Sequence, residues 1–282
     1  MNSFEIINVF NHNAILCKST KKNEIFVFFG KGIGFKKRKG DIFEHNDSIE
    51  DAKLVLESDE ADKYKKLLQQ VENKKLIKVI QNVVYDANQY FEYKINAKLN
   101  LTLLDHLNFA IERQKNNIIM NYPFLNELEF IYPKEYEFAK KAFEYINNEM
   151  KNDVIFDNSE VGFLTLHIHA ALKNAKVSNV LINNEIIYYC LRIIEIEFEK
   201  KINKSSVYYF RFIKHLEYAI YRFKNNIRLE NILLDSVIDL CKKEYYVTTQ
   251  INSLLDEKYK INLDQDELGY LALHIYNLRT RE

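Results

Sequence analysis

A helical block occurs twice in this chain, and that duplication limits its possible folds more than any other feature. LLDHLNFAIERQKNNI at 103–118 returns as FIKHLEYAIYRFKNNI at 212–227, with nine of sixteen positions identical. DNSEVGFLTLHI at 157–168 returns as DQDELGYLALHI at 264–275. These matches place His106 over His215, Gly162 over Gly269 and His167 over His274. Two copies of one domain of about a hundred residues follow, a common domain size. Four of the seven histidines occupy repeat-related positions, so the search for chemistry starts there.

The first sixty residues lie outside the duplication and read differently. FEIINVF, NAILCKS and EIFVFF are short β-branched and aromatic runs separated by polar turns, the signature of a small antiparallel sheet. A unit of that size buries little apolar surface alone and is expected to need a second copy to pack against. Gly30, Gly32, Gly34 and Gly40 fall within eleven residues, and residues 1–40 carry eight Lys or Arg against Glu5 and Glu24. The chain as a whole has a formal net charge of +0, which excludes a uniformly basic nucleic-acid coat but leaves room for a local basic patch.

After about residue 60 the periodicity becomes helical. Asp157 with Glu160, and Asp264 with Glu267, have capping-box spacing at helix starts, which puts His167 and His274 mid-helix. Pro123 and Pro133 flank a short helix or turn in the first copy only. The boundaries expected are 1–60, 61–175 and 176–282, joined through short segments near 57–64 and 173–184. Cys17, Cys190 and Cys241 are scattered and form no CxxC pair, so neither a disulfide framework nor a zinc knuckle is indicated. With no long apolar run and no signal-peptide start, the expectation is a soluble cytoplasmic protein.

The segment GKGIGFKKRKGD at 30–41 lets the backbone approach a partner closely, while Lys31, Lys36 and Lys37 supply cations and Phe35 a stackable ring. A tight hairpin with a solvated basic edge is an equal reading of that segment alone. No GxxxxGK[ST] occurs, which disfavours a phosphate-binding loop. Among the histidines, any single one is more often structural than functional. HEXXH is absent, and His167 and His169 lie roughly 200° apart on a helix, so no metal site is expected. A duplicated enzyme site should duplicate a carboxylate, yet Asp105 is answered by Lys214. An enzyme is not favoured and no cofactor is expected. Arg113 and Arg222 do duplicate, seven residues after His106 and His215. A neutral imidazole attacks phosphoryl groups and a guanidinium pairs with the phosphate that results. This points to reversible phosphorylation on histidine.

The whole chain resembles the transcriptional antiterminators of the BglG/SacY type, a small RNA-binding β domain followed by two phosphotransferase-system regulation domains (PRDs). GKGIGF, DHLNFAIERQ, YPFLNELEFIYPKEY, VGFLTLHIHAAL, RFIKHLEYAI and YLALHIY carry the likeness. GKGIGFKK and LHIHAAL look most similar to regulators of glucose permease genes in Gram-positive bacteria. The resemblance implies a multidomain fold: a dimeric four-stranded antiparallel β domain, then two all-α five-helix bundles that also dimerise. It implies RNA contacts at Asn13, Gly30, Lys31 and Phe35, with neighbouring Asn8, Gly32, Lys36 and Lys37 on the same surface. It implies phosphoacceptors at His106, His167, His215 and His274. Asn8 stands where some members have lysine, and Lys31 where many have arginine. His169 is answered by Tyr276 and is expected to be structural.

The expected partners are a hairpin in a nascent leader transcript, the phosphocarrier HPr, a sugar-specific enzyme II permease and a second copy of the chain. Binding of the hairpin would prevent an overlapping terminator from forming ahead of a sugar-uptake operon. Each phosphate would bring roughly −1.5 to −2 charge. Two alternatives stay open at this level. A DNA-binding activator with the same regulatory domains would need a helix-turn-helix ahead of them, and a helical metal-dependent phosphohydrolase would need a tightly bound metal.

Overall fold

The computed structural model describes residues 2–12, 14–21, 25–29, 32–45, 52–56, 66–92, 94–96, 98–116 and 122–281, with Lys63, Ile118 and Met120. The chain divides into two compact units, Met1–Val180 and Leu181–Glu282.

The three apolar runs of the N-terminal region become β1 (Asn2–Asn11), β2 (Ala14–Ser19) and β3 (Ile25–Phe29). Two further strands, β4 (Ile42–His45) and β5 (Ala52–Leu56), complete an antiparallel sheet of order β4-β1-β2-β3-β5. β5 therefore extends the sheet beyond the four strands that the resemblance implies. Alternation sends Phe4, Ile6, Ile15, Cys17, Phe26 and Phe28 to one face, where Ile33 and Phe43 join them. The Phe4 ring meets Phe26 and Phe28 edge-on at centroid distances of 5.0 and 4.8 Å, the arrangement that aromatic quadrupoles favour. Phe10, Leu16, Ile25 and Val27 belong to a second core shared with Leu67, Val71, Val79 and Val83. The sheet thus finds cover for that face within its own chain, where the composition suggested that a second copy was needed.

The helices of the first unit are α1 (Lys74–Tyr90), α2 (Lys98–Lys115), a 3-10 turn at Pro123–Glu127 leading into α3 (Leu128–Ile131), α4 (Pro133–Met150) and α5 (Glu160–Leu172). Asn73 caps α1 by accepting from the Lys75 N–H at 3.0 Å. Leu76, Ile80, Val83, Val84 and Ala87 then form its buried stripe at helical spacing. Pro133 occupies the first turn of α4, where its missing N–H costs nothing. α2 and α4 both pack against α5.

Helix α6 (Val177–Phe198) covers most of the segment expected to be a joint, leaving only Lys173–Lys176 between it and α5. The second unit continues with α7 (Val207–Lys224), α8 (Leu234–Leu240), α9 (Lys242–Tyr259) and α10 (Gln265–Thr280). α7, α8 and α9 all pack against α10, as α2, the 3-10 turn and α4 do against α5. Ser206 caps α7 and Asp264 caps α10, accepting from the Tyr209 and Glu267 N–H groups at 3.1 and 2.9 Å.

The two capping-box expectations fare differently. Asp264 is the N-cap of α10, but the Glu267 carboxylate does not return to the cap. Asp157 instead accepts from the Ser159 N–H at 2.9 Å, and α5 begins at Glu160. In both copies the glutamate has left the helix end for an arginine.

Candidate functional site

The basic segment lies at one end of the sheet. Gly32 and Gly40 have φ of +76° and +91°, and Lys36 sits in the left-handed region at φ 57°, so the chain turns sharply three times between β3 and β4. Backbone bonds tie the segment to the sheet at both ends. The Gly34 N–H donates to the His12 carbonyl, the Gly40 N–H donates to the Ile6 carbonyl, and the Ile6 N–H donates to the Asp41 carbonyl. Phe35 is left 55% exposed. Its ring meets the exposed His12 ring edge-on at 5.5 Å, and the Lys36 ammonium lies 5.4 Å from its centroid.

Lys36, Lys37, Arg38 and Lys39 are all exposed. An exposed ring among cations offers a stacking platform beside phosphate-pairing charge. Asn8 is half-buried on β1 opposite Leu16, beside a register shift between Ile6 and Asn8. Asn13, Gly30 and Lys31 lie outside the described residues. Sequence reading missed His12, which is 23 positions from Phe35 and shares no periodicity with it.

In the first helical copy, α2 and α5 bring together His106, Arg113, Glu160 and His167. The His106 Nε2 lies 2.6 Å from Glu160 Oε2, and Arg113 donates to Glu160 Oε1 at 2.7 Å. Arg113, Glu160 and His167 are buried, and each oxygen of the buried Glu160 carboxylate has a side-chain nitrogen partner, which offsets the cost of its desolvation. The His106 and His167 rings are 4.9 Å apart. Burial first, and then the neighbouring His106, push His167 well below the usual histidine range, which keeps it neutral. His169 faces elsewhere, stacked at 3.8 Å on Tyr132 and bonded through Nδ1 to Glu135 at 2.8 Å.

The second copy repeats the parts with a different pairing. Arg222 engages Glu267 through two bonds, Nε to Oε1 and a terminal nitrogen to Oε2, the latter at 2.8 Å. His215 and His274 stack at 3.7 Å, 30° from parallel. Burial is the main cause that lowers His274 to about 4, followed by the charges of His215 and Arg211. His215 is lowered too, by burial and then by Arg222, against the pull of Glu267. Neutral imidazoles are the nucleophilic form.

Glu160 and Glu267 are the members of these clusters that sequence reading assigned to helix capping alone. The duplicated carboxylate sought beside the histidines exists, but it sits in the capping-box position on the partner helix and not at Asp105. Its repetition in both copies was the available signal. The arginines expected to pair with phosphate are occupied by these glutamates, so a phosphate would have to displace a carboxylate to reach them.

Among the described residues no group of three or more His, Cys, Asp or Glu gathers as a metal site, and no helix is long and apolar enough to cross a membrane.

Comparison with known proteins matches the CAT RNA binding domain to residues 4–61 and the PRD domain to residues 81–171 and 188–278. The chain is 33% identical to Protein GlcT of Staphylococcus saprophyticus, over 98% of each chain. It is 33% identical to the PtsGHI operon antiterminator of Bacillus subtilis, over 99% of this chain and 98% of that one. A solved structure, that of GlcT CAT-PRDI, shares 35% identity and covers 61% of this chain and 99% of its own, with a TM-score of 0.49. The exposed basic turn and the two histidine clusters therefore sit in matched domains of known type, and the chain belongs to the family of transcription antiterminators that join a CAT RNA-binding domain to two PRDs.

Proposed function

We propose that this antiterminator binds a hairpin in a leader transcript ahead of a glucose-uptake operon, and that histidine phosphorylation by the phosphotransferase system sets its activity. The names of its relatives, which include a PtsGHI operon antiterminator and a GlcA/glcB genes antiterminator, support the operon class. The three functional regions are 1–60, 61–175 and 176–282. Asn8, Asn13, Gly30, Lys31, Gly32, Phe35, Lys36 and Lys37 form the RNA-contacting set. The protein acts in the cytoplasm as a homodimer and is a regulator, not an enzyme. Val207, Phe210, Tyr218 and Tyr221 lie exposed along one face of α7 with Lys214 among them, a largely apolar face suited to a second copy.

The observation that carries the phosphorylation reading is the pair of closely spaced histidine rings that recurs beside an arginine–glutamate contact in both helical copies. His106 and His167 receive phosphate from the sugar permease when no sugar is transported. His215 and His274 receive it from HPr; Arg113 stays on Glu160, and Arg222 pairs with phosphate only by displacing Glu267. Two dianionic groups brought together in a partly dry interface repel with little screening, which loosens the dimer and separates its RNA-binding domains.

A read-through reporter strain with the permease intact and sugar withheld tests this. His106→Ala removes an acceptor without adding charge and should give read-through, whereas His106→Asp should stay silent. If both variants behave like the parent, His106 is structural and the assignment fails.

A further inference from the structure

We propose that Glu160 is a positioning residue that directs phosphorylation of His106 to its Nδ1 atom. The inference rests on the reading of His106 as a phosphoacceptor and deepens it by naming the reacting atom. An ionised carboxylate only accepts hydrogen bonds, so the His106 nitrogen 2.6 Å from Glu160 Oε2 carries the proton. In the neutral ring the lone pair is then on Nδ1, because the hydrogen bond made by one imidazole nitrogen fixes the state of the other.

Three features support that assignment. Arg113 holds the far oxygen of Glu160 at 2.7 Å, which keeps the carboxylate turned towards His106. Among the described residues, no group hydrogen-bonds His106 Nδ1. The His106 ring also lines a cavity of about 610 Å³ that includes Lys98, Asp105, Phe109 and Lys176, while Glu160 lies outside it. Inside that cavity a phosphoryl group meets the ammonium groups of Lys98 and Lys176 against the single carboxylate of Asp105.

The step balances as an exchange between two imidazoles. The donor is a phosphohistidine whose second ring nitrogen is protonated. The His106 Nδ1 lone pair forms the new P–N bond, the donor's P–N bond breaks, and the donor leaves as a neutral imidazole. His106 becomes a phosphoimidazolium that keeps its Nε2–H, and Glu160 offsets the positive charge developing on the ring. No net proton is exchanged.

The second copy lacks this device. Both Glu267 oxygens go to Arg222, and among the described residues no carboxylate hydrogen-bonds His215. His215 is therefore not fixed in one tautomer by a glutamate, and the preference for Nδ1 belongs to the first copy.

Nuclear magnetic resonance of the full chain, labelled with 15N at histidine, tests the proposal. The ring signals of His106, assigned by their loss in His106→Ala, should show the Nε2–H tautomer. Treatment with phosphoramidate, a small phosphoryl donor that requires no docking partner, should give a His106 signal phosphorylated at Nδ1. In Glu160→Gln, Arg113 still claims the amide oxygen, so the NH2 group faces His106. The tautomer should then invert and the Nδ1-phosphorylated signal should be lost. An Nδ1–H tautomer or an Nε2 phosphate in the parent overturns the proposal while leaving His106 as an acceptor. Absence of any His106-dependent phosphate overturns the acceptor reading and the proposal with it. Both parent measurements decide the matter even if Glu160→Gln does not fold.

Discussion

Gly162 lies so close to Leu125 that a Cβ built on the glycine would sit 2.8 Å from the Leu125 Cβ. The duplicated glycine is there to let α5 touch the proline-led 3-10 turn. Gly162→Ala should destabilise the first helical copy by about 1–3 kcal/mol, the usual cost of overpacking, and lower its urea midpoint. Gly269→Ala should cost less. A Cβ there would meet the Asn231 amide nitrogen and Leu234 Cδ1, each at 2.7 Å, and those are ends of side chains that can move aside. Equal midpoints for parent and Gly162→Ala would show that the turn can retreat.

Phe35→Ala should weaken binding of the leader hairpin by about 1–3 kcal/mol, the range for losing one aromatic stacking platform. Filter binding with the full chain measures it, and circular dichroism controls for the fold. Because the ring is more than half exposed, its loss should leave the sheet intact. Full affinity in a folded variant would remove Phe35 from the RNA surface.

Lys37→Gln should reduce the slope of log affinity against log salt by about one unit if the lysine neutralises one phosphate. Binding isotherms at several salt concentrations give the slope. An unchanged slope would place Lys37 away from the RNA backbone.

Stability should fall with acid in a manner traceable to His274. Its folded value is about 4 against an ordinary 6.5, so in that window the unfolded chain binds the proton more readily. The contribution of the neutral ring is complete above 6.5 and is lost as the pH drops towards 4. His274→Gln does not titrate, so its urea midpoint should fall less than that of the parent between about pH 7 and about pH 5. Parallel declines would mean that His274 charges without resistance.

The histidine clusters were legible because duplication marks positions. Once two segments align, His106 over His215 and His167 over His274 need no structural information. The roles of Glu160 and Glu267 were not legible, since a D-x-x-E at a helix start satisfies a local rule completely and gives no sign of a partner on another helix. β4 and β5 were missed for a related reason. Ile42–His45 and Ala52–Leu56 are too short to show alternation, and their pairing comes from β1 and β3, already formed beside them. The division between the two compact units, after Val180, falls inside the expected joint at 173–184, but its helical form was not legible, because the apolar pattern of α6 starts at Val177, ahead of the strong signal around Ile186 and Ile187. His12 beside Phe35 depends on a turn meeting a turn, which no window along the chain contains.

The tether of the basic turn to Ile6 and His12 decides how a nucleic acid would experience it. A free run of lysines must surrender chain entropy when it settles on phosphates, and each residue that becomes ordered subtracts from affinity. Here the backbone has already been fixed during folding by the carbonyls of Ile6, His12 and Asp41. The partner meets a turn already tied down at both ends. Its recognition should be selective for the shape of the RNA, with only side-chain ends left to adjust.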